Sequence, residues 1–148
     1  MDVYVFSSKN LTNIWAGIGA RRWAVSRKQG DNQSIQTNAK KLPVGGLGIL
    51  YCVDAQSFTT PFVVTSKPDV DATVTNIWPE PWTLPFSIFP LGSPMRQLHK
   101  DRLAKLLPSL KNGRIWDQLL HVQPITVFAP SQLSDEDWSA IVGELFDT

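Results

Sequence analysis

The chain has 148 residues, 43% of them hydrophobic and 18% charged, which is the make-up of one globular domain and excludes a disordered or fibrous protein. No apolar run approaches the roughly 18–20 residues of a bilayer span, and Met1-Asp2-Val3-Tyr4 lacks the basic and apolar regions of a signal peptide. Cys52 is the single cysteine, so an internal disulfide is excluded and a reducing cytoplasm is the expected setting.

Val3-Tyr4-Val5-Phe6 is short, apolar and β-prone, and Ser7-Ser8-Lys9-Asn10 closes it. Leu11, Ile14, Trp15 and Ile18 recur at helical spacing, with Gly17 and Gly19 predicting a short helix. Trp23-Ala24-Val25 reads as a brief strand, and residues 27–38, polar and without a period, as a mobile loop. Leu42-Pro43-Val44-Gly45-Gly46 is turn chemistry before residues 47–53, an apolar run of the kind found in strands buried on both faces. Residues 54–59 read as a hairpin loop, residues 61–65 as its return strand, and residues 85–91 as a strand that Pro85 and Pro90 place at an edge or bend.

Leu98, Leu103, Ala104, Leu106 and Leu107 form the apolar side of a helix that carries Arg96, Lys100, Arg102 and Lys105 on the other. Residues 125–128 read as a last strand. In the final helix Ser134 is the N-cap with Asp137 three residues on, and Leu133 staples onto Trp138. The order β–α–β–β–β–α–β–α predicts one α/β (α+β) domain over residues 1–148, with a small curved mixed sheet or partial barrel flanked by helices.

Charge is unevenly spread. Residues 1–50 carry seven Lys/Arg against two acids, residues 96–114 six against one, and residues 115–148 six acids and no base. That pattern predicts a polarised surface and a polyanionic partner. Six tryptophans are hard to hide in one small core, which predicts that one or two line a pocket.

Catalytic constellations are not legible. His99 and His121 have no second histidine or cysteine at ligand spacing, so neither a zinc site nor a bound cofactor is expected. Cys52 falls inside a central strand, where an inert buried thiol is the ordinary case. Gly45-Gly46-Leu47-Gly48 precedes a strand and lacks the Gly-Lys-Ser/Thr ending of a phosphate loop. Asp69, Asp71 and Glu80 lack the following lysine of a nuclease set and read as turn caps. A binding module is therefore expected, and not an enzyme.

Three stretches together resemble a known family. They are Val3 to Ser8 with Asn13 and then Arg22-Trp23-Ala24; Gly48 to Val53 followed by Phe62 to Ser66; and Asn76-Ile77-Trp78-Pro79 with Phe86-Ser87-Ile88. Closed by the helix that starts at Leu133, they resemble a YTH/EVE-type domain of the PUA-like superfamily, from about Val3 to Leu145. The resemblance implies a pocket for one modified base. Trp23 and Trp78 would be its walls, with Trp82 a rival for the second, and Asn13 would meet a ring nitrogen. The Lys9 N–H and Ala24 C=O would meet the base edge, and Leu84 would close the lip around a methyl group. Arg114 would contact phosphate, joined by Arg22, Arg96 and Lys100 of the basic segments. Ser7 departs from the basic residue common in readers of methylated RNA, and Trp15 is expected in the core.

The expected function is a reader of modified DNA (N6-methyladenine, 5-methylcytosine or a hydroxymethyl derivative), serving as the specificity module of a restriction system whose nuclease or motor lies elsewhere. The alternatives are a reader of modified RNA, a small PUA-like enzyme acting on RNA or nucleotides, and a protein-interaction module.

Overall fold

The computed structural model describes residues 1–146, the side chain of Asn112 excepted, so Asp147 of the acidic stretch lies outside the described residues. In chain order the elements are β1 (Val3–Ser8), α1 (Leu11–Ala20), β2 (Arg22–Ser26), α2 (Arg27–Gly30), α3 (Gln33–Ala39), β3 (Leu47–Cys52), β4 (Ser57–Val64), β5 (Thr73–Val74), β6 (Trp82–Pro90), β7 (Gln97–His99), α4 (Lys100–Leu106), α5 (Trp116–Leu119) and α6 (Asp135–Leu145). Short 3-10 turns occupy Pro108–Asn112 and Pro124–Thr126.

The strands form one sheet in the order β1-β3-β4-β6-β2, with β5 on β6 and β7 on β4. Among the described residues only β1 and β3 run parallel; the remaining pairs are antiparallel. Although β1 and β2 end the main path, the ring of Phe6 on β1 lies 5.2 Å from that of Phe86 on β6, the strand paired with β2, so the sheet curls to bring its two ends together. Successive residues of β1 and β3 alternate between two cores. Tyr4, Phe6, Leu50 and Cys52 enter the core inside the curl, while Val3, Val5, Ile49 and Tyr51 enter the one outside it. Burial on both faces explains why residues 47–53 read as a continuous apolar run.

The outer core is closed by α4, α5 and α6. Ser134 caps α6 in a reciprocal capping box with Asp137, as expected, and Leu133 and Trp138 share that core. Asp137 does more than cap. It is fully buried, and one carboxylate oxygen accepts the Ser109 N–H at 3.0 Å while the other accepts the Ser134 N–H at 3.0 Å. Burial pushes this carboxyl upward, but the hydrogen bonds from Ser109 and Ser134 outweigh burial and hold it below the usual carboxylate value.

Several expectations are corrected. Residues 27–38 are not a loop but contain α2 and α3. Their helical signal sits in the caps: Ser26 and Gln29 form a capping box, and Asn32 accepts the Ile35 N–H. Only Ile35 and Ala39 of α3 reach the core, too few to mark a period. Residues 125–128 are not a strand; after the 3-10 turn the chain passes through Phe128 at φ +65°, and Val127 and Phe128 insert into the inner core. The hairpin loop is shorter than residues 54–59, because β4 begins at Ser57, and Leu98 lies in β7 ahead of its helix. Trp15 is 47% exposed, because the seat of α1 is centred on Ile14 and Gly17.

Gly17 is required where it stands. A Cβ there would lie 2.7 Å from Cε3 of Trp23 and 2.9 Å from the Arg22 carbonyl. Gly17→Ala is expected to cost about 1–3 kcal/mol through overpacking, read as a lower urea midpoint, and to displace the Trp23 ring.

Candidate nucleic-acid interface

The curl leaves β1 and β2 facing each other without pairing, and a cavity of about 830 Å³ occupies the gap. That volume is within the range of small-molecule and base sites. Its walls are the end of β1 through Asn10, the stretch from Trp23 to Ser26, parts of α2 and α3, the turn at Pro79-Glu80, and residues 121–127. The last segment is tied down twice: Ser7 Oγ donates to the Val122 carbonyl at 2.8 Å, and Gln29 Nε2 donates to the Pro124 carbonyl at 3.2 Å. Ser7, noted as a departure from the resembled pattern, thus holds a wall in place.

Three tryptophans meet here, in an arrangement different from the expected sandwich. Trp78 and Trp82 stack on each other at 4.2 Å and 14°, with no room for a third ring between them. Trp23 stands nearly perpendicular to both, 5.7 Å from Trp78 at 80° and 5.6 Å from Trp82 at 75°. Trp82 lines the cavity and Trp78 does not. Trp78 is buried behind it, and its indole N–H donates to the Asn13 carbonyl at 2.9 Å. Trp82 therefore supplies the open ring, Trp23, only 1% exposed, borders the cavity from within the core, and Trp78 backs Trp82 and anchors the start of α1.

Strand register explains the presentation. Trp82 opens β6 opposite Ser26, and Trp23 pairs with Phe86. Between Trp23 and Val25 the register shifts, so that Leu84 and Pro85 oppose the single residue Ala24. Such a bulge re-aims backbone groups, and it turns Ala24 onto the cavity wall. Leu84, at φ +54°, is instead buried in the inner core and is absent from the wall, so it does not close the lip.

Asn13 and Lys9 also line the cavity. The Asn13 N–H donates to the Asn10 side chain at 2.8 Å in the cap of α1, and the Asn13 side chain itself has no hydrogen bond among the described residues. The Lys9 carbonyl accepts the Asp54 N–H at 2.9 Å, which fixes the turn leaving β1.

None of the four expected phosphate residues lines the cavity. Arg114 bonds Gln132 at 2.9 Å, Arg96 bonds the Phe146 carbonyl at 2.8 Å, and the Lys100 ammonium sits 6.0 Å above the Trp116 ring. Arg22 is exposed at the start of β2, before the cavity-lining part of that strand. Basic and acidic segments that look segregated along the chain pack together in space, as in the Arg102–Glu144 ion pair at 3.0 Å. The cations on the cavity wall are Lys9 and Lys28, and Arg27 joins Lys28, Glu80 and Pro81 around a smaller adjoining hollow. The Ser26-x-x-Gln29 capping box was the available sign that a helix would lift Lys28 to the rim.

The remaining candidates are quickly placed. Cys52 is buried, and the Asp71 N–H donates to the Asp69 carboxylate at 2.9 Å as a turn cap. Among the described residues no group of three His, Cys, Asp or Glu is placed to hold a metal ion, and no helix is long and apolar enough to cross a membrane.

No family model matches the sequence, and no curated protein is similar to it in sequence. Solved structures are similar. The YTH domain of the Zygosaccharomyces rouxii MRB1 protein, in complex with N6-methyladenosine RNA, superposes with a TM-score of 0.60 at 16% identity, covering 96% of this chain and 84% of that one. The Pho92 YTH domain in complex with m6A gives 0.62 at 14% identity over 96% and 81%. The Toxoplasma CPSF4 YTH domain in its apo form gives 0.58 at 12% identity over 95% and 82%. The chain therefore has the fold of the YTH domains, and the expected curved sheet flanked by helices is what the structure contains.

Proposed function

We propose that this chain, folded as the YTH domains are, is a binding module that holds one N6-methylated adenine of single-stranded RNA against Trp82, with Asn13 at its edge. The observation that carries the reading is the Trp23–Trp82 corner in the cavity between β1 and β2, beside an Asn13 side chain that has no hydrogen-bond partner among the described residues. The fold supports RNA over the DNA suggested by the sequence, since solved neighbours are described as complexes with N6-methyladenosine RNA.

Energetics support the same preference. With Trp82 stacked on Trp78, one ring face is offered to a base, and base–aromatic stacking contributes about 1–3 kcal/mol. Extracting a base from a duplex costs a few kcal/mol, which would consume that gain, whereas an unpaired base costs little to insert. The rim cations Lys9, Arg27 and Lys28 suit a short single strand. Three such contacts give a slope of about −2 in log affinity against log salt. The reading calls for no reaction; any downstream effect belongs to what the module recruits.

The test is a titration of matched RNA and DNA oligonucleotides, with and without N6-methyladenine, at two salt concentrations. Methylated RNA is expected to bind tighter than plain RNA by about 10–200-fold, the worth of a methyl group in an apolar corner. Equal affinity for the two would overturn the proposal. Tighter binding of methylated DNA would instead favour the restriction-module reading, with its nuclease or motor partner.

A further inference from the structure

Buried polar atoms are nearly always hydrogen-bonded, and each exception calls for a physical reason. Among the described residues three buried side-chain atoms have no partner: Thr83 Oγ1, Ser131 Oγ and His121 Nδ1. Thr83 Oγ1 is pressed against Gly30, where a Cβ could not fit. Neither Thr83 nor Ser131 lines the cavity, whereas His121 does. It stands on the segment that Ser7 and Gln29 tie down, so its position is set by hydrogen bonds it does not itself make.

We infer that His121 is a second nucleotide-reading residue, its Nδ1 completed by a hydrogen bond from the nucleotide inserted into the cavity; this rests on the base-binding reading above. The imidazole nitrogen accepts or donates according to tautomer, so it suits either a polar atom of the base edge or the ribose 2′-hydroxyl. Asn13 borders the cavity from α1 and His121 from residues 121–127, so a nucleotide entering it meets polar residues on two different walls. A buried nitrogen that the folded chain leaves unpaired costs stability in the free protein and is repaid only on binding.

The experiment compares wild type, His121→Phe and His121→Asn for binding of an RNA carrying one N6-methyladenosine, and for urea unfolding. Phenylalanine keeps a ring of similar size without hydrogen-bonding capacity, and asparagine keeps a polar atom near the Nδ1 position. His121→Phe is expected to bind about tenfold more weakly, with an unfolding midpoint unchanged or raised, and His121→Asn to fall between. The Nδ1 nitrogen resonance of the wild type should move on saturation with the RNA. An oligonucleotide with 2′-deoxyribose at the methylated position identifies the source: a penalty seen by the wild type but not by His121→Phe points to the ribose hydroxyl, and an equal penalty to the base edge.

Unchanged affinity in His121→Phe, or a lowered midpoint with affinity preserved, overturns the inference. Should His121→Phe fail to fold, an Nδ1 resonance unmoved by RNA overturns it alone. If Trp82→Ala loses binding while His121→Phe does not, the His121 contact fails and the base-binding reading stands. A wild-type chain that does not bind methylated RNA rejects the reading itself.

Discussion

Trp82→Ala is expected to weaken binding of methylated RNA by about 5–150-fold, the equivalent of one aromatic stacking contact, while the protein stays folded. Trp82 is half-buried at the start of β6 and gives the cavity its open ring face, so its loss removes contact area for the base more than core. Trp78→Ala should behave in the opposite way. Trp78 is buried in the inner core and bonds the Asn13 carbonyl, so its truncation is expected to cost about 3–5 kcal/mol of stability. Binding and urea unfolding measured on both variants separate the two arrangements. If a base were sandwiched between Trp23 and Trp78, Trp78→Ala would lose affinity at least as severely as Trp82→Ala under conditions where both are folded.

Stability should also depend sharply on Asp137. Asp137→Ala removes the acceptor of two backbone N–H groups, those of Ser109 and Ser134, and dissolves the capping box of α6. Leaving these donors unpaired costs about 1–3 kcal/mol each, and loss of a cap about 1 kcal/mol, so a total of about 3–7 kcal/mol is expected. A domain stable by about 5–15 kcal/mol would lose a large fraction of its margin.

The depressed carboxyl makes the effect pH-dependent. A group whose folded pKa is lowered contributes stability that is present above its unfolded value and lost as pH falls through the folded value. The urea midpoint of the wild type should therefore drop as pH falls below about 4, and Asp137→Asn should drop less steeply over the same interval. A pH profile identical in the two would refute the role given to the ionised carboxylate.

Much of this was legible in local patterns. The apolar run of β3 marked a strand buried on both faces, and the spacing of Ser134 and Asp137 marked the start of α6. Trp23, Asn13 and Lys9, matched to a family by resemblance, all line the cavity. Other expectations met structure that no local pattern carries. Arg22, Arg96 and Lys100 came from basic stretches of the chain and Arg114 from the resemblance, and none of the four lines the cavity; charge proximity in sequence does not survive folding when α4 packs against α6. In residues 27–38 the helices rest on polar caps, so a search for apolar periodicity passed over them. Pro124 and the positive φ of Phe128 broke what looked like a strand in residues 125–128.

The tryptophans mark the boundary between the two kinds of information. By itself the sequence determined that there were too many for one core, and that Trp78 and Trp82, four residues apart, were rivals for one wall. Which ring faces the cavity was decided by the register of β6 against β2 and by the bulge at Ala24. The cavity itself exists because the curl brings β1 and β2, the two ends of the sheet, to line one gap. Caps and periodicities are satisfied within a few residues and can be read along the chain. A gap between two strand edges is a property of closure, and no short stretch of sequence contains it.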